Sequence, residues 1–116
     1  MSFDYNHVVL AGRATKNPES HSVQDTVRVF FPLAVKRSYR KEDGSYDTDF
    51  INIIVWGKLG EICNQYIKKG GQVLVDGRIQ VRNYEKGKET KWITEIVAEN
   101  VKFLFTNKKD SSANAV

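Results

Sequence analysis

The chain has 116 residues, 41% of them hydrophobic and 28% charged, with a net charge of +4. A domain of this length buries roughly two thirds of the surface that its unfolded form exposes, so it needs neither a metal nor a disulfide to fold. A single cysteine excludes an intramolecular disulfide, and with only two histidines beside it the composition argues against a structural zinc site.

The first two predicted strands cover residues 5–13 and 27–36, and a long polar loop, 15–25, joins them. The second strand alternates apolar and polar residues with a period of two, which is typical of a sheet with one face in the core. Its apolar face includes Val29, Phe31 and Leu33. Pro32 interrupts the pattern, and because proline cannot donate to a β-ladder, we expect it at an edge, a bulge or a sharp bend.

The third predicted strand, 47–56, follows a hairpin connection around Asp43-Gly44. Both of its faces are rich in apolar groups: one carries Ile51, Ile53 and Val55, and the other carries Phe50, Ile54 and Trp56. A sheet that is open to water on one side does not need two apolar faces. The pattern therefore indicates a closed barrel, a subunit contact or a face that stacks on a ligand.

One predicted helix, 58–69, follows, with Cys63 in its apolar stripe, the basic pair Lys68-Lys69 at its end and Gly70-Gly71 after it. A fourth strand, 72–84, a hairpin loop, 85–91, and a fifth strand, 92–99, complete the order, and 101–105 can prolong the last strand. This order is that of an all-β fold with one helix. It matches the OB-fold, a five-stranded Greek-key barrel, here with the helix between strands 3 and 4.

We expect residues 1–105 to form this single domain and residues 106–116, which are polar and small, to form a flexible C-terminal end. The N-terminus lacks a charged region followed by an apolar run, and no segment approaches the roughly 18 apolar residues of a membrane span. Together with the lone cysteine, these features lead us to expect a soluble cytoplasmic protein with no membrane partner.

Four aromatic residues stand at or near the ends of strand-like segments, with basic residues close by: Tyr39, Phe50, Trp56 and Tyr84. An unpaired nucleobase stacks on such a ring with roughly 1–3 kcal/mol, and its phosphate seeks a Lys or Arg. Repeated along a groove, the two contacts predict strong binding to single-stranded nucleic acid that is nearly independent of base sequence.

Several segments occur in an order and spacing that point to one family: Asn6–Arg13, Asn17–Glu19, Leu33–Val35, Phe50–Leu59, Tyr66–Gly70, Val73–Arg78 and Tyr84. From about Tyr5 to Leu104 the chain resembles bacterial single-stranded DNA-binding proteins of the SSB type. The stacking positions of that family correspond to the same four aromatic residues. The basic residues that match its DNA path are Arg13, Lys58, Lys69, Arg78 and Arg82, and we add Arg37 and Arg40 on the hairpin that flanks Tyr39.

The resemblance implies a homotetramer of OB-folds around which single-stranded DNA wraps, without a cofactor, in the bacterial cytoplasm and associated with the nucleoid. It also implies a nonenzymatic role in DNA replication, recombination and repair. Typical members carry a long tail with an acidic tip that recruits replication and repair enzymes. The printed sequence ends in Ala-Asn-Ala-Val116, so we do not expect protein partners to be recruited through such a tip.

Several of these residues also have a purely structural interpretation. Phe50 and Trp56 can be core residues, as strand aromatics often are. Arg78 and Arg82 can form a solvated strand face with cross-strand partners such as Glu95. Lys69 can simply be a favourable charge at a helix C-terminus. Trp92, at the start of the fifth strand, can cover the barrel mouth, and we leave it out of the predicted site.

Other functions stay open at this point. A protein-interaction OB module would keep the fold and lose the groove, and an RNA-binding protein of the cold-shock type would bind RNA equally well. Asp47 and Asp49 share a strand face and could hold magnesium in a nuclease. No further acidic residue or histidine joins them at a suitable spacing, and an acidic hairpin edge explains them, so we expect no catalytic residue, no metal and no enzyme.

Overall fold

The computed structural model describes residues 3–105, so the predicted flexible end, 106–116, lies outside the described residues. Within them the elements run in this order: β1 (Val8–Ala14), β2 (Glu19–Val23), β3 (Thr26–Arg40), β4 (Tyr46–Trp56), α1 (Gly57–Tyr66), β5 (Gln72–Lys86) and β6 (Glu89–Phe105). No helix in this range is long and apolar enough to cross a membrane.

The strands form one sheet in the order β1-β5-β6-β4-β3-β2, and an additional pairing between β1 and β3 closes it into a barrel. β4 and β6 pair in parallel, and the other neighbours pair antiparallel. β2 is a short hairpin strand on the edge of β3, outside the closed barrel. The remaining five strands, with α1 between the third and the fourth of them, confirm the predicted OB-fold.

The core is filled by the inner face of the barrel, in the alternation that the sequence predicts. Its largest fully buried side chains include Phe31, Leu33 and Ile53. α1 packs against β3 and β4 and adds Cys63 to this core. Burial of the Cys63 thiol raises its pKa to about 11, because the thiolate would lose its hydration, and the thiol therefore acts as a small apolar core group.

Two backbone features allow the barrel to close between β1 and β3. At Gly12 a Cβ atom would overlap the carbonyl oxygen of Ala34, so only glycine permits the approach of the two strands. Pro32 lies where the edge of β3 passes from β2 to β1, and its carbonyl accepts a hydrogen bond from the Thr15 amide (3.0 Å). The N and O of a strand residue point to the same side, so the missing proline donor removes no bond to β4.

The structure differs from the prediction at three connections. The predicted loop 15–25 contains β2, whose five residues are all exposed and so show no apolar alternation. The helix ends at Tyr66 instead of residue 69, and Lys69 belongs to the turn that follows. The predicted loop 85–91 is a two-residue turn at Gly87-Lys88, with Gly87 at φ +63°, and β5 and β6 continue up to it as a projecting hairpin.

Candidate nucleic-acid interface

The outer face of the barrel carries several of the predicted aromatic and basic residues in one register. Directly paired residues of neighbouring strands point to the same side of a sheet. Trp56 is paired with Arg28 of β3, and Phe50 with Ala34. Through the pairing of Asn52 with Glu95 the same face continues onto β6, and from β6 it continues onto β5, which carries Arg78, Arg82 and Tyr84 at alternate positions.

The aromatic residues of β4 are on the surface and not in the core. Phe50 is 69% exposed and Trp56 is 41% exposed, whereas Ile53 and Val55 on the opposite face are fully buried. The two rings are six residue steps apart along the extended strand, which corresponds to roughly 20 Å. Tyr39 and Tyr84 are exposed as well. The structural alternative of core packing, which applied to Phe50 and Trp56, is therefore wrong.

A groove of about 330 Å³ lies beside the Phe50 ring. Its lining brings together three of the predicted site residues, Arg13, Phe50 and Lys69, and the further lining residues are Ala14, Thr15, Ala34, Thr48 and Gly70. Within residues 3–105, neither Arg13 nor Lys69 forms an ion pair with a carboxylate. The exposed Phe50 ring thus lies beside two cations that no carboxylate of the described residues neutralises.

Hydrogen bonds from main-chain amides, one of them to a side chain, fix the turn that carries Lys69. The Lys69 amide donates to Oδ1 of Asn17 (2.8 Å), and the Gly70 amide donates to the carbonyl of Ala14 (2.7 Å). The Ala14 amide donates back to the carbonyl of Gly71 (3.0 Å). Lys69 is therefore positioned by the backbone next to β1 and does not serve as the C-terminal charge of the helix, which was the structural alternative for it.

The Trp56 end of β4 has a different arrangement, in which Arg28, the cross-strand neighbour of Trp56, shares one carboxylate with Arg82 of β5. Arg82 donates from Nε to Oε1 of Glu95 (3.0 Å) and from Nη2 to Oε2 (3.1 Å), and Arg28 donates from Nη2 to Oε2 (3.2 Å). The hydrogen bonds to Glu95 raise the pKa of Arg82 above its ordinary value. The structural alternative for Arg82, a cross-strand pair with Glu95, is thus present alongside its place on the aromatic face.

Sequence reasoning missed Arg28. It lies on the polar face of the predicted second strand, and the alternation alone gives no reason to single it out from other exposed arginines. The signal that would have found it is the β3–β4 register, which places Arg28 directly opposite Trp56. That register depends on the bulge between Lys36 and Arg40, which the sequence pattern does not specify.

A third aromatic position, Tyr39, lies at the far end of β3 beside a network of charges. Arg37 donates to both carboxylate oxygens of Asp49 (3.1 and 2.9 Å) and to the hydroxyl of Tyr39 (3.4 Å). Asp47 is 3.7 Å from Arg37 and 3.3 Å from Lys41. The hydrogen bond from Arg37 holds the pKa of Asp49 below its ordinary value. Both aspartates thus neutralise cations of the hairpin.

The remaining predicted cations differ in their surroundings. Arg78 lies 3.6 Å from Glu99 and donates to Oε1 of Gln80 (3.0 Å), so part of its charge is compensated. Lys58 is exposed in the first turn of α1. A cation there opposes the helix dipole, so helix stability does not explain it. Arg40 is exposed on the hairpin side of the β3 bulge, opposite Tyr46.

Other exposed rings lie outside the predicted site. Phe3 and Tyr5 precede β1 and stack with their centroids 6.2 Å apart. Trp92, which the sequence analysis left out, is 67% exposed on the projecting hairpin, where it is paired with Asn83. It therefore does not cover the barrel mouth. These residues add exposed apolar surface to the molecule.

Comparison with known proteins connects this geometry to one family. The model of the single-strand binding protein family matches residues 5–104. Single-stranded DNA-binding protein 1 of Staphylococcus aureus is 42% identical over 109 residues, which are 92% of this chain and 70% of the relative. The single-stranded DNA-binding protein of Caldanaerobacter subterraneus is 46% identical over 85% of this chain and 67% of its own, and that of Bacillus cereus is 44% identical over 85% and 59%.

A solved structure supports the fold independently. The chain superposes on a Plasmodium falciparum SSB complex with ssDNA with a TM-score of 0.79, and the match covers 90% of this chain and 98% of that one. The two sequences are 24% identical, so this likeness concerns the arrangement of the barrel alone. The sequence matches, in contrast, extend over most of this chain at a far higher identity.

Proposed function

The chain belongs to the single-strand binding protein family, and from this premise we propose that it binds single-stranded DNA without sequence preference. The observation that carries the proposal is the exposure of Phe50 and Trp56 on one strand face, each with cations beside it. Flat rings accept any base because every base has a π-face, and cations accept any phosphate. The protein coats and protects unpaired DNA and does not transform it.

The DNA path follows the outer face from the hairpin of Tyr39 past Phe50 to Trp56 and across to Tyr84. The residues that we propose as DNA contacts are Arg13, Arg37, Tyr39, Arg40, Phe50, Trp56, Lys58, Lys69, Arg78, Arg82 and Tyr84. The bases stack on the rings and the phosphates bind the cations. Arg37 and Arg78 contribute less than Arg13 and Lys69, because carboxylates already compensate part of their charge.

We further propose that the protein acts as a homotetramer. Two features of β1 support self-association. It pairs with β5 from Val8 to Arg13 but with β3 only at Arg13 and Ala14, so most of one strand edge is open to another strand. Phe3, Tyr5 and Val9 add exposed apolar surface at the same end of the molecule. Sedimentation velocity tests this proposal, since a monomer at micromolar concentration would contradict it.

The role that fits such an activity is the protection of DNA that is transiently unpaired during replication, recombination and repair in the bacterial cytoplasm and nucleoid. The relatives named above are bacterial. A coating protein keeps strands from pairing again and shields them from nucleases. Neither task requires a cofactor or a reacting group.

A fluorescence titration with poly(dT) at two salt concentrations tests the proposed function. The chain has two tryptophans, so the variant Trp92→Phe leaves Trp56 as the single reporter. We expect saturable quenching of Trp56, and an affinity that falls with salt by roughly 0.7 logarithmic units per phosphate neutralised and per decade of salt. Absence of quenching, or binding that does not depend on salt, would contradict the proposal.

The same titration with poly(rU) and with duplex DNA separates the alternatives. A cold-shock type of RNA binder would bind poly(rU) as tightly as poly(dT). A protein-interaction module would bind neither polymer. A magnesium-dependent nuclease would shorten the oligonucleotide on a gel when magnesium is added, whereas the proposed protein leaves it intact. We expect the order poly(dT), then poly(rU), then duplex DNA, from the tightest to the weakest.

A further inference from the structure

A buried carboxylate lies within the outer face that we propose to bind a polyanion. Glu95 of β6 is 3% exposed, and the bulk of the charge on this face is positive. A negative charge in such a place weakens the attraction for phosphates and loses hydration. An ion pair on the solvated surface would keep its hydration, and water would screen its effect on phosphates. Glu95 therefore needs an explanation beyond a simple surface ion pair.

The hydrogen bonds of Glu95 fix two arginines at once. Both of its oxygens accept from Arg82, and Oε2 also accepts from Arg28, at distances between 3.0 and 3.2 Å. The side chain of Arg28 is 25% exposed and that of Arg82 is 43% exposed. Their guanidinium groups thus lie at the surface while their positions are determined by a group beneath it.

Arg28 keeps unused donors. Its described hydrogen bond to Glu95 uses Nη2, so the Nε–H and Nη1–H groups remain for a partner from solvent. Arg28 is paired with Trp56 across the β3–β4 ladder, and directly paired residues of antiparallel strands have Cβ atoms roughly 5 Å apart. A nucleotide that stacks on Trp56 would place its phosphate within reach of this guanidinium.

We propose that Arg28 binds a backbone phosphate beside the base that stacks on Trp56, and that Glu95 is a positioning residue that holds Arg28 and Arg82 ready for the DNA backbone. The inference rests on the proposed function and adds one contact and one positioning group to it. A guanidinium held in place binds phosphate without the loss of side-chain freedom that a mobile arginine suffers.

Two opposing effects of Glu95 decide whether removal of its carboxylate weakens or strengthens DNA binding. Ordering one mobile side chain on binding weakens affinity by roughly two- to twelvefold, and Glu95 orders two such side chains beforehand. The repulsion of a phosphate by the Glu95 charge is offset, because the carboxylate is bonded to two guanidinium groups and the cluster as a whole stays positive. Positioning outweighs repulsion, so removal of the carboxylate weakens binding.

The phosphate contact of Arg28 is tested by Arg28→Ala, with binding of labelled oligo(dT) measured by fluorescence anisotropy over a range of salt concentrations. We expect the salt slope of wild type to fall by about 0.7, the value for one phosphate on a single strand. Arg28→Lys keeps the charge and should restore the slope, though not the full affinity. The matched control is Lys102→Ala, which removes an exposed cation outside the proposed site and should leave the slope unchanged.

The positioning role is tested by Glu95→Asp, which keeps the net charge and withdraws the carboxylate from both arginines by one methylene. We expect a threefold to tenfold weaker affinity at 0.3 M salt, and the same direction for Glu95→Gln in spite of its lost negative charge. In the Arg28→Ala, Arg82→Ala background, Glu95→Gln should no longer weaken binding, because only the repulsive effect of the carboxylate is left. Melting temperatures identify variants that do not fold, and if Glu95→Gln is one of them, Glu95→Asp carries the test.

The outcomes separate this inference from the proposed function. If wild type does not bind oligo(dT), the proposed function fails. If wild type binds but Arg28→Ala keeps its slope, or shares its loss of slope with Lys102→Ala, the phosphate contact of Arg28 is overturned. If Glu95→Asp and Glu95→Gln bind as tightly as wild type or more tightly, Glu95 only repels DNA and the positioning role is overturned.

Discussion

The two ends of β4 present an exposed ring next to cations, but they hold those cations in different ways. At the Phe50 end, Arg13 and Lys69 line a groove with no carboxylate paired to them in the described part of the chain, and main-chain hydrogen bonds position the Lys69 turn. At the Trp56 end, the cross-strand neighbour Arg28 is held by a buried carboxylate, Glu95, which also holds Arg82 of β5. The cations at the Phe50 end are not compensated by a described carboxylate, whereas the arginine at the Trp56 end is partly compensated and is held in a fixed position.

This difference predicts different responses to salt and to substitution. Attraction by uncompensated charges falls steeply with salt because it depends on counterion release. Contacts made by guanidinium groups that are already oriented depend more on geometry, since bidentate hydrogen bonds require a defined angle. The Phe50 end should therefore dominate the salt dependence of binding, and the Trp56 end should be the more sensitive to loss of a neighbouring side chain.

The largest effect should come from removing both rings. Base stacking contributes roughly 1–3 kcal/mol per base, so Phe50→Ala and Trp56→Ala should each weaken the affinity for oligo(dT) about 5- to 150-fold, and the double variant should combine the two losses. The rings lie roughly 20 Å apart along the strand, which makes their effects nearly additive. Fluorescence anisotropy with a labelled oligonucleotide measures the affinity without a tryptophan signal.

Trp92→Ala is the matched control for this loss. Trp92 is more exposed than Trp56 but lies on the projecting hairpin, outside the proposed path. Its removal should change the affinity by less than a factor of about three if stacking on the β4 face accounts for binding. Equal losses in Trp92→Ala and Trp56→Ala would mean that any exposed ring contributes and that the comparison between the two ends of β4 has no basis.

The second effect concerns the uncompensated cations. Arg13→Ala with Lys69→Ala should lower the salt slope by about 1.4, which is two phosphates at roughly 0.7 each, and the loss of affinity should be greatest at low salt. Lys16→Ala is the control, because Lys16 is exposed in the connection between β1 and β2 but does not line the groove. A double variant with an unchanged slope would show that DNA does not pass through this groove.

The third effect concerns stability. It distinguishes a cation that is paired with a buried carboxylate from a cation that is positioned by a hydrogen-bonded turn. Arg82→Ala leaves the buried Glu95 without the partner that bonds both of its oxygens. Breaking a fully buried pair lowers the free energy of unfolding by about 3–5 kcal/mol, and the loss here should be smaller because Arg82 is 43% exposed. Lys69→Ala should stay within about 0.5 kcal/mol of wild type. Urea unfolding measures both, and equal stabilities would contradict the comparison.

The barrel could be predicted from the sequence because its core depends on local alternation. Phe31 and Leu33 are buried where the period of two places them, and the order of strands and helix is that of the OB-fold. The exposed rings were predicted through neighbouring cations and through the family resemblance. Burial alone would have predicted the opposite, since Phe50 and Trp56 occupy an apolar strand in which Ile54 of the same face is buried.

The carboxylate cluster could not be predicted, because it depends on contacts between distant parts of the chain. Arg28 and Glu95 are 67 residues apart in sequence and meet only through the parallel pairing of β4 with β6. Barrel closure sets that register, and no local pattern encodes it. β2 was missed for a simpler reason: its residues are all exposed, so a strand there leaves no apolar periodicity to detect.

The smallest effect concerns the Tyr39 end of the hairpin, where Arg37 is paired with a carboxylate that is exposed, unlike Glu95. The hydrogen bond from Arg37 holds the pKa of Asp49 below its ordinary value. The pair therefore stabilises the fold at pH values above the ordinary pKa of aspartate, and it loses this contribution as the pH falls through the lowered pKa. Asp49→Asn should therefore melt slightly below wild type at pH 7, and the difference should close towards pH 3. Asp47→Asn, whose carboxylate is 3.7 Å from Arg37, should show a smaller difference at pH 7. A difference in melting temperature between Asp49→Asn and wild type that widens on acidification would contradict the stabilising role of the pair between Arg37 and Asp49.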